Sequence, residues 1–86
     1  MPEISRFFGI IIAMYYDDHN PPHFHARYGE EKVSISIESL TIVAGKVPPR
    51  VLGLVMEWAA QHKEELEEDW NLALHNKPLK SIDPLA

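Results

Sequence analysis

The chain has 86 residues, thirteen acidic and eight basic, a net charge of −5 and no cysteine. That length supports one core, so a single domain over residues 1–86 is expected, burying about 60–65% of its unfolded surface and only modestly stable unless a metal or partner subunit adds to it. The missing cysteine removes disulfides, thiolate zinc sites and cysteine nucleophiles, and the acidic balance argues against a broad grip on nucleic acid, which depends on Lys and Arg displacing counterions.

The apolar run from Phe7 to Tyr16 has no basic leader before it and no small-residue cleavage site after it. About ten residues cannot span a bilayer, so no membrane association and a cytoplasmic location are expected. From Phe8 to Tyr16 both alternating faces are apolar or aromatic, Ile10, Ile12, Met14 and Tyr16 on one and Ile11, Ala13 and Tyr15 on the other, the pattern of a strand covered on both sides. Asn20-Pro21-Pro22 then imposes a stiff, extended connection.

His23 to Tyr28 alternates, with Phe24, Ala26 and Tyr28 on one face and His23, His25 and Arg27 on the other. Gly29-Glu30 reads as a hairpin turn. In Lys32 to Glu38, Val33, Ile35 and Ile37 face a core and Lys32, Ser34, Ser36 and Glu38 face away. A short fourth strand covers Leu40 to Val43 and ends near Gly45. These segments make an antiparallel meander of about four strands over residues 8–44.

Pro48-Pro49 opens a helical pattern, because proline is well accommodated at the first helical position. At 100° per residue, Val51, Leu54, Val55, Trp58, His62, Leu66, Trp70 and Ala73 fall in one stripe, opposite Arg50, Glu57, Glu64, Glu68, Asn71 and His75. The phase predicts one long helix from Pro49 to about residue 75, with bends permitted at Gly53 and near Gln61-His62-Lys63. Asn76-Lys77-Pro78 stops it, and the tail over 77–86 lies back on the body. The fold class is α+β.

The chemistry concentrates in Asp17 to His25. His23 and His25, two apart on a strand, project about 7 Å apart from one face, within reach of one metal ion. With His19 and Asp18 from the adjoining loop they form a candidate site for a divalent transition metal such as zinc; manganese, iron and nickel suit the same ligands. A metal-free alternative has Asp18 orienting His19 or His23 as a general base, but no nucleophile is evident, since Ser34 and Ser36 read as the solvated side of a strand. The structural alternative has the histidines stiffening a proline-rich turn through hydrogen bonds. Trp58 and Trp70 are expected as core anchors and His62 as a satisfied histidine apart from His23 and His25. Glu64 to Asp69, five acids in six positions, reads as a solvated face that a basic partner could use. The doubly apolar first strand needs a cover on its outer side, from Phe7, Phe8, the tail or another subunit.

Met1-Pro2 with Ile4 to Phe7, Gly9-Ile10, Asp17 to His25 and Pro48-Pro49-Arg50, together with Glu57-Trp58, His62, Glu64 to Leu66, Trp70 and Pro78-Leu79-Lys80, resemble a family of short bacterial proteins catalogued as domain of unknown function DUF4160. The resemblance covers nearly the whole chain and implies no activity. It does imply frequent encoding beside another small protein and, for some members, a place in toxin–antitoxin pairs. The leading expectation is therefore a protein-interaction component, as a homo-oligomer or with a protein partner, in a toxin–antitoxin-like pair. A metal-dependent enzyme at Asp18, His19, His23 and His25 is the alternative. A ribonuclease toxin using Arg27, Lys32 and Tyr28 comes third, because Tyr28 falls on the opposite face and the net charge is unfavourable.

Overall fold

The computed structural model describes residues 2–86, so Met1 of the opening motif lies outside the described residues. Five strands, β1 (Glu3–Phe7), β2 (Ile10–Ala13), β3 (His23–Tyr28), β4 (Glu31–Ser36) and β5 (Ile42–Gly45), form one antiparallel sheet in sequence order. Two helices follow, α1 (Pro49–Gln61) and α2 (Lys63–Leu74). The class is α+β, with one strand and one helix more than the sequence pattern indicates.

The extra strand is β1. Phe7 pairs with Ile10, leaving Phe8-Gly9 as a two-residue turn with φ of 49° and 77°. Positive φ at both central residues is the requirement of a type I′ turn, whose twist matches the strands it joins. The predicted first strand therefore begins too early, since Phe8 and Gly9 are turn, and Glu3 to Phe7 is a strand in its own right. Its polar Glu3, Ser5 and Arg6 and a register shift between Glu3 and Ser5 obscure the alternation that would have exposed it.

The β3–β4 hairpin follows the predicted pattern. Tyr28 pairs with Glu31 around Gly29-Glu30, with Gly29 at φ 62°, and the register continues through His25↔Ser34 to His23↔Ser36. Phe24, Ala26, Val33 and Ile35 are buried under the helices. Val51, Val55, Trp58, Leu66 and Trp70 pack onto them, Trp58 being wholly inaccessible and donating its indole N–H to the Asp83 carbonyl at 2.8 Å. Tyr28, expected on the core face, is exposed at the end of its strand.

The predicted long helix breaks at His62, whose φ of −125° and ψ of 26° leave the helical region. Its N–H turns back to the Ala59 carbonyl, while its own carbonyl accepts from Leu66 N–H in α2. Glu64 and Glu65 in the first turn of α2 complement the positive end of a new helix. At the far end Asn76, with φ of 54°, closes a Schellman motif through Asn76 N–H to the Ala73 carbonyl and Lys77 N–H to the Leu72 carbonyl.

The tail then crosses the body. Ile82 and Leu85 join the core, Ile82 N–H donates to the Ile4 carbonyl of β1 at 2.8 Å, and Tyr16 donates its hydroxyl to the Lys77 carbonyl. Lys80 N–H donates to Oδ1 of buried Asp69, whose Oδ2 has no partner, and burial pushes that carboxyl above its usual range. Among the described residues, no helix is long and apolar enough to cross a membrane.

Candidate metal centre on the open sheet face

The helices cover one face of the sheet, so the side chains alternating with the core positions stand on the other. Glycine at the β3–β4 turn fixes which residues meet there: His25 faces Ser34 and Arg27 faces Lys32. The loop after β2 carries Asp17, Asp18 and His19 toward the start of β3, and the Asn20-Pro21 peptide within it is cis.

Asp18, His23 and His25 converge, offering ligand atoms that all lie within 4.8 Å of one another. Asp18 Oδ2 is 2.9 Å from His25 Nε2 and 3.3 Å from His23 Nε2, and the two imidazole centroids are 5.1 Å apart. All three side chains are largely buried, between 13% and 22% exposed. Nitrogen and oxygen ligands at about 2.0–2.1 Å from one ion stand about 3 Å from each other, which the two separations from Asp18 Oδ2 match. His19 is exposed and stands outside this group, so the structure brings together three of the four residues singled out in the sequence.

Each ring has a partner for its second nitrogen. His23 Nδ1 is 2.8 Å from the Pro21 carbonyl, and His25 Nδ1 is 3.1 Å from Ser34 Oγ. A carbonyl can only accept, so the proton of His23 sits on Nδ1. In the neutral ring Nε2 then carries a bare lone pair aimed at the carboxylate of Asp18, a repulsive contact that needs a proton or a cation between the two atoms. His25 has no such conflict, because Nε2–H can donate to Asp18 while Nδ1 accepts from Ser34. Backbone carbonyls and hydroxyls on the far nitrogen are also the usual orienting partners of metal-bound histidine.

Three contributors were not evident in the sequence. Ser34, read there as merely solvated, bonds His25; the two-residue turn alone would have placed it opposite. Tyr15 packs edge-on against His25 at 4.5 Å between centroids. Trp70 of α2 lies 5.5 Å from the His23 ring, so His23, at the end of its strand, borders the core rather than standing clear of it. His62 keeps apart as expected, against Trp58 and 2.6 Å from Glu65 Oε1. The covers expected over β2 are elsewhere: Phe7 is in the core, Phe8 is 61% exposed and the tail's Ile82 and Leu85 join the core, while Ile11 lines an open depression.

Two depressions meet at His25. One, of about 380 Å³, includes Tyr15, Asp18, His25, Lys32 and Ser34 in its lining; the other, of about 350 Å³, includes Ile11, Tyr15, His25, Arg27 and Lys32. Two imidazoles and a carboxylate beside open space can hold a divalent transition ion with positions left for an outside ligand. Among known families, the model described as "Domain of unknown function (DUF4160)" matches residues 9–71. No curated protein and no solved structure matches the chain.

Proposed function

Because the chain belongs to the DUF4160 family, whose description carries no activity, its function has to be read from its own site, and we propose that it binds a divalent transition metal through Asp18, His23 and His25. The observation that carries this reading is the pair His23 Nε2 and Asp18 Oδ2, 3.3 Å apart with the ring's proton drawn to the Pro21 carbonyl. A bound ion would accept both lone pairs, in place of the proton that otherwise has to lie between the two atoms. Zinc suits two imidazoles and one carboxylate, and would supply Lewis acidity at a position open to the sheet face. The protein's own part is to hold both rings by their far nitrogens and to keep Asp18 between them.

Elemental analysis and zinc titration of the wild type and Asp18→Asn test this. Asparagine still accepts the His25 hydrogen bond but offers no anionic ligand. One equivalent of zinc in the wild type and at least tenfold weaker binding in the variant are expected. Equal zinc affinity in both would remove the site.

A protein partner is the second reading, supported by β5. All four of its residues are exposed, with Ile42 at 46% and Val43 at 49%, and it lies at the edge of the sheet, where unpaired backbone groups invite a further strand. A toxin–antitoxin-like pair is one form such a partnership could take. Analytical ultracentrifugation tests the homo-oligomeric version, for which a monomer at high micromolar concentration is the adverse result.

A further inference from the structure

Arg27 and Lys32 are direct partners across the β3–β4 ladder, so their side chains leave the same face side by side. Like charges in that relation destabilise a sheet. The row extends across the strands from Arg6 through Ile11 to Arg27 and Lys32. Arg6 is neutralised by Glu3, with contacts of 2.8 and 3.1 Å, whereas among the described residues neither Arg27 nor Lys32 has an ion pair. In a chain with a net charge of −5, two adjacent cations without a close ion pair, Arg27 being only in longer-range reach of the Glu3 carboxylate, sit on the open face beside the His25 ring.

We propose that Arg27 and Lys32 bind the phosphate group of a small organic phosphomonoester lying over His25, an inference that rests on the reading of Asp18, His23 and His25 as metal ligands. Guanidinium matches two phosphate oxygens in a planar fork, and the ammonium adds a second charge without a fixed direction. Both cations line the depression of about 350 Å³ that also holds His25, Tyr15 and Ile11. That volume suits a small molecule rather than a macromolecule, and Tyr15 and Ile11 give its organic part an apolar wall. Glu30, at the hairpin turn, is the one carboxylate in that lining and keeps the site from being uniformly cationic. Lys32 and His25 also line the neighbouring depression containing Asp18, so one ligand can touch the cation pair and the metal ligands together.

NMR titration of the metal-free protein with inorganic phosphate and with phenyl phosphate, at low ionic strength, tests the anion site independently of the metal. Saturable shifts at Arg27, Lys32 and His25 are expected, with phenyl phosphate binding more tightly. Arg27→Ala and Lys32→Ala should each weaken binding by about tenfold or more, and circular dichroism should show both variants folded, because the two side chains are exposed. No saturable binding, binding unchanged in the double variant, or a preference for inorganic phosphate would overturn the proposal. Repeating the titration with zinc should tighten phosphate binding, an effect lost on changing His23 and His25 together to Ala. Phosphate bound through Arg27 and Lys32 by a protein that takes up no zinc would sink the metal reading and leave the anion site standing; zinc bound without phosphate would do the reverse.

Discussion

Ser34 stands directly across the β3–β4 ladder from His25, its hydroxyl 3.1 Å from His25 Nδ1. A hydroxyl both donates and accepts, so it serves either tautomer. With Nε2–H given to Asp18, Ser34 donates to Nδ1; with Nε2 on a metal, Nδ1–H donates to Ser34. Ser34→Ala should therefore lower zinc affinity by about 10-fold to 100-fold. It should also cost about 1 kcal/mol of stability in denaturant titration. Undiminished zinc affinity would show that the hydroxyl orients nothing.

Phe8 is 61% exposed and held at φ 49° in the β1–β2 turn. A bulky residue there carries the left-handed penalty, against which stands an edge contact with the Phe7 ring at 6.4 Å between centroids. Phe8→Asn should stabilise the protein by about 1 kcal/mol, because asparagine tolerates this conformation. A lower denaturation midpoint would mean that the ring contact with Phe7 outweighs the backbone penalty.

Burial holds the Asp69 carboxyl above its ordinary value of 3.8. The fold therefore binds this proton more tightly than the unfolded chain does. Its stabilising contribution is fully present below pH 3.8 and is lost as pH rises through the raised folded value. Asp69→Asn keeps an acceptor for Lys80 N–H but has no charge to bury. Denaturation midpoints across a pH series should show wild type losing ground to the variant as pH rises, and parallel curves would contradict this.

Trp58 is wholly buried between the sheet and the tail, against Phe7, Phe24 and His62. Trp58→Ala should cost about 3–5 kcal/mol. Trp58→Phe should recover most of the packing and leave the loss of the bond to Asp83, about 1 kcal/mol. A total loss for Trp58→Ala below about 1 kcal/mol would be incompatible with this placement.

The elements readable in the sequence were those with one dominant periodicity. Val33, Ile35 and Ile37 alternate without interruption, and the helical stripe from Val51 to Ala73 keeps its phase across the break, so both buried faces were legible. The break itself was not, because a bend at His62 preserves the stripe; the acidic Glu64-Glu65 after Lys63 was the available sign of a second helix start. β1 is hidden in the sequence because Phe8 is an unusual I′-turn residue that reads as strand. At the site, the alternation His23, His25 placed both rings near each other, and Asp18 joined them. The exclusion of His19 depends on how the proline loop turns, which residue spacing does not encode. Trp70 reached His23 only through the packing of α2, a tertiary contact without a local signal.

The tail's hydrogen bond from Ile82 to Ile4 also limits how this sheet can grow. An antiparallel sheet with two bare margins can add copies indefinitely and become a fibre. Here the chain's own C-terminal segment lies against β1 at Ile4, whereas β5, at the opposite margin, has no strand beyond it among the described residues. Two copies joined through β5 would each present a β1 margin on which the tail already holds Ile4, which disfavours further strand addition there.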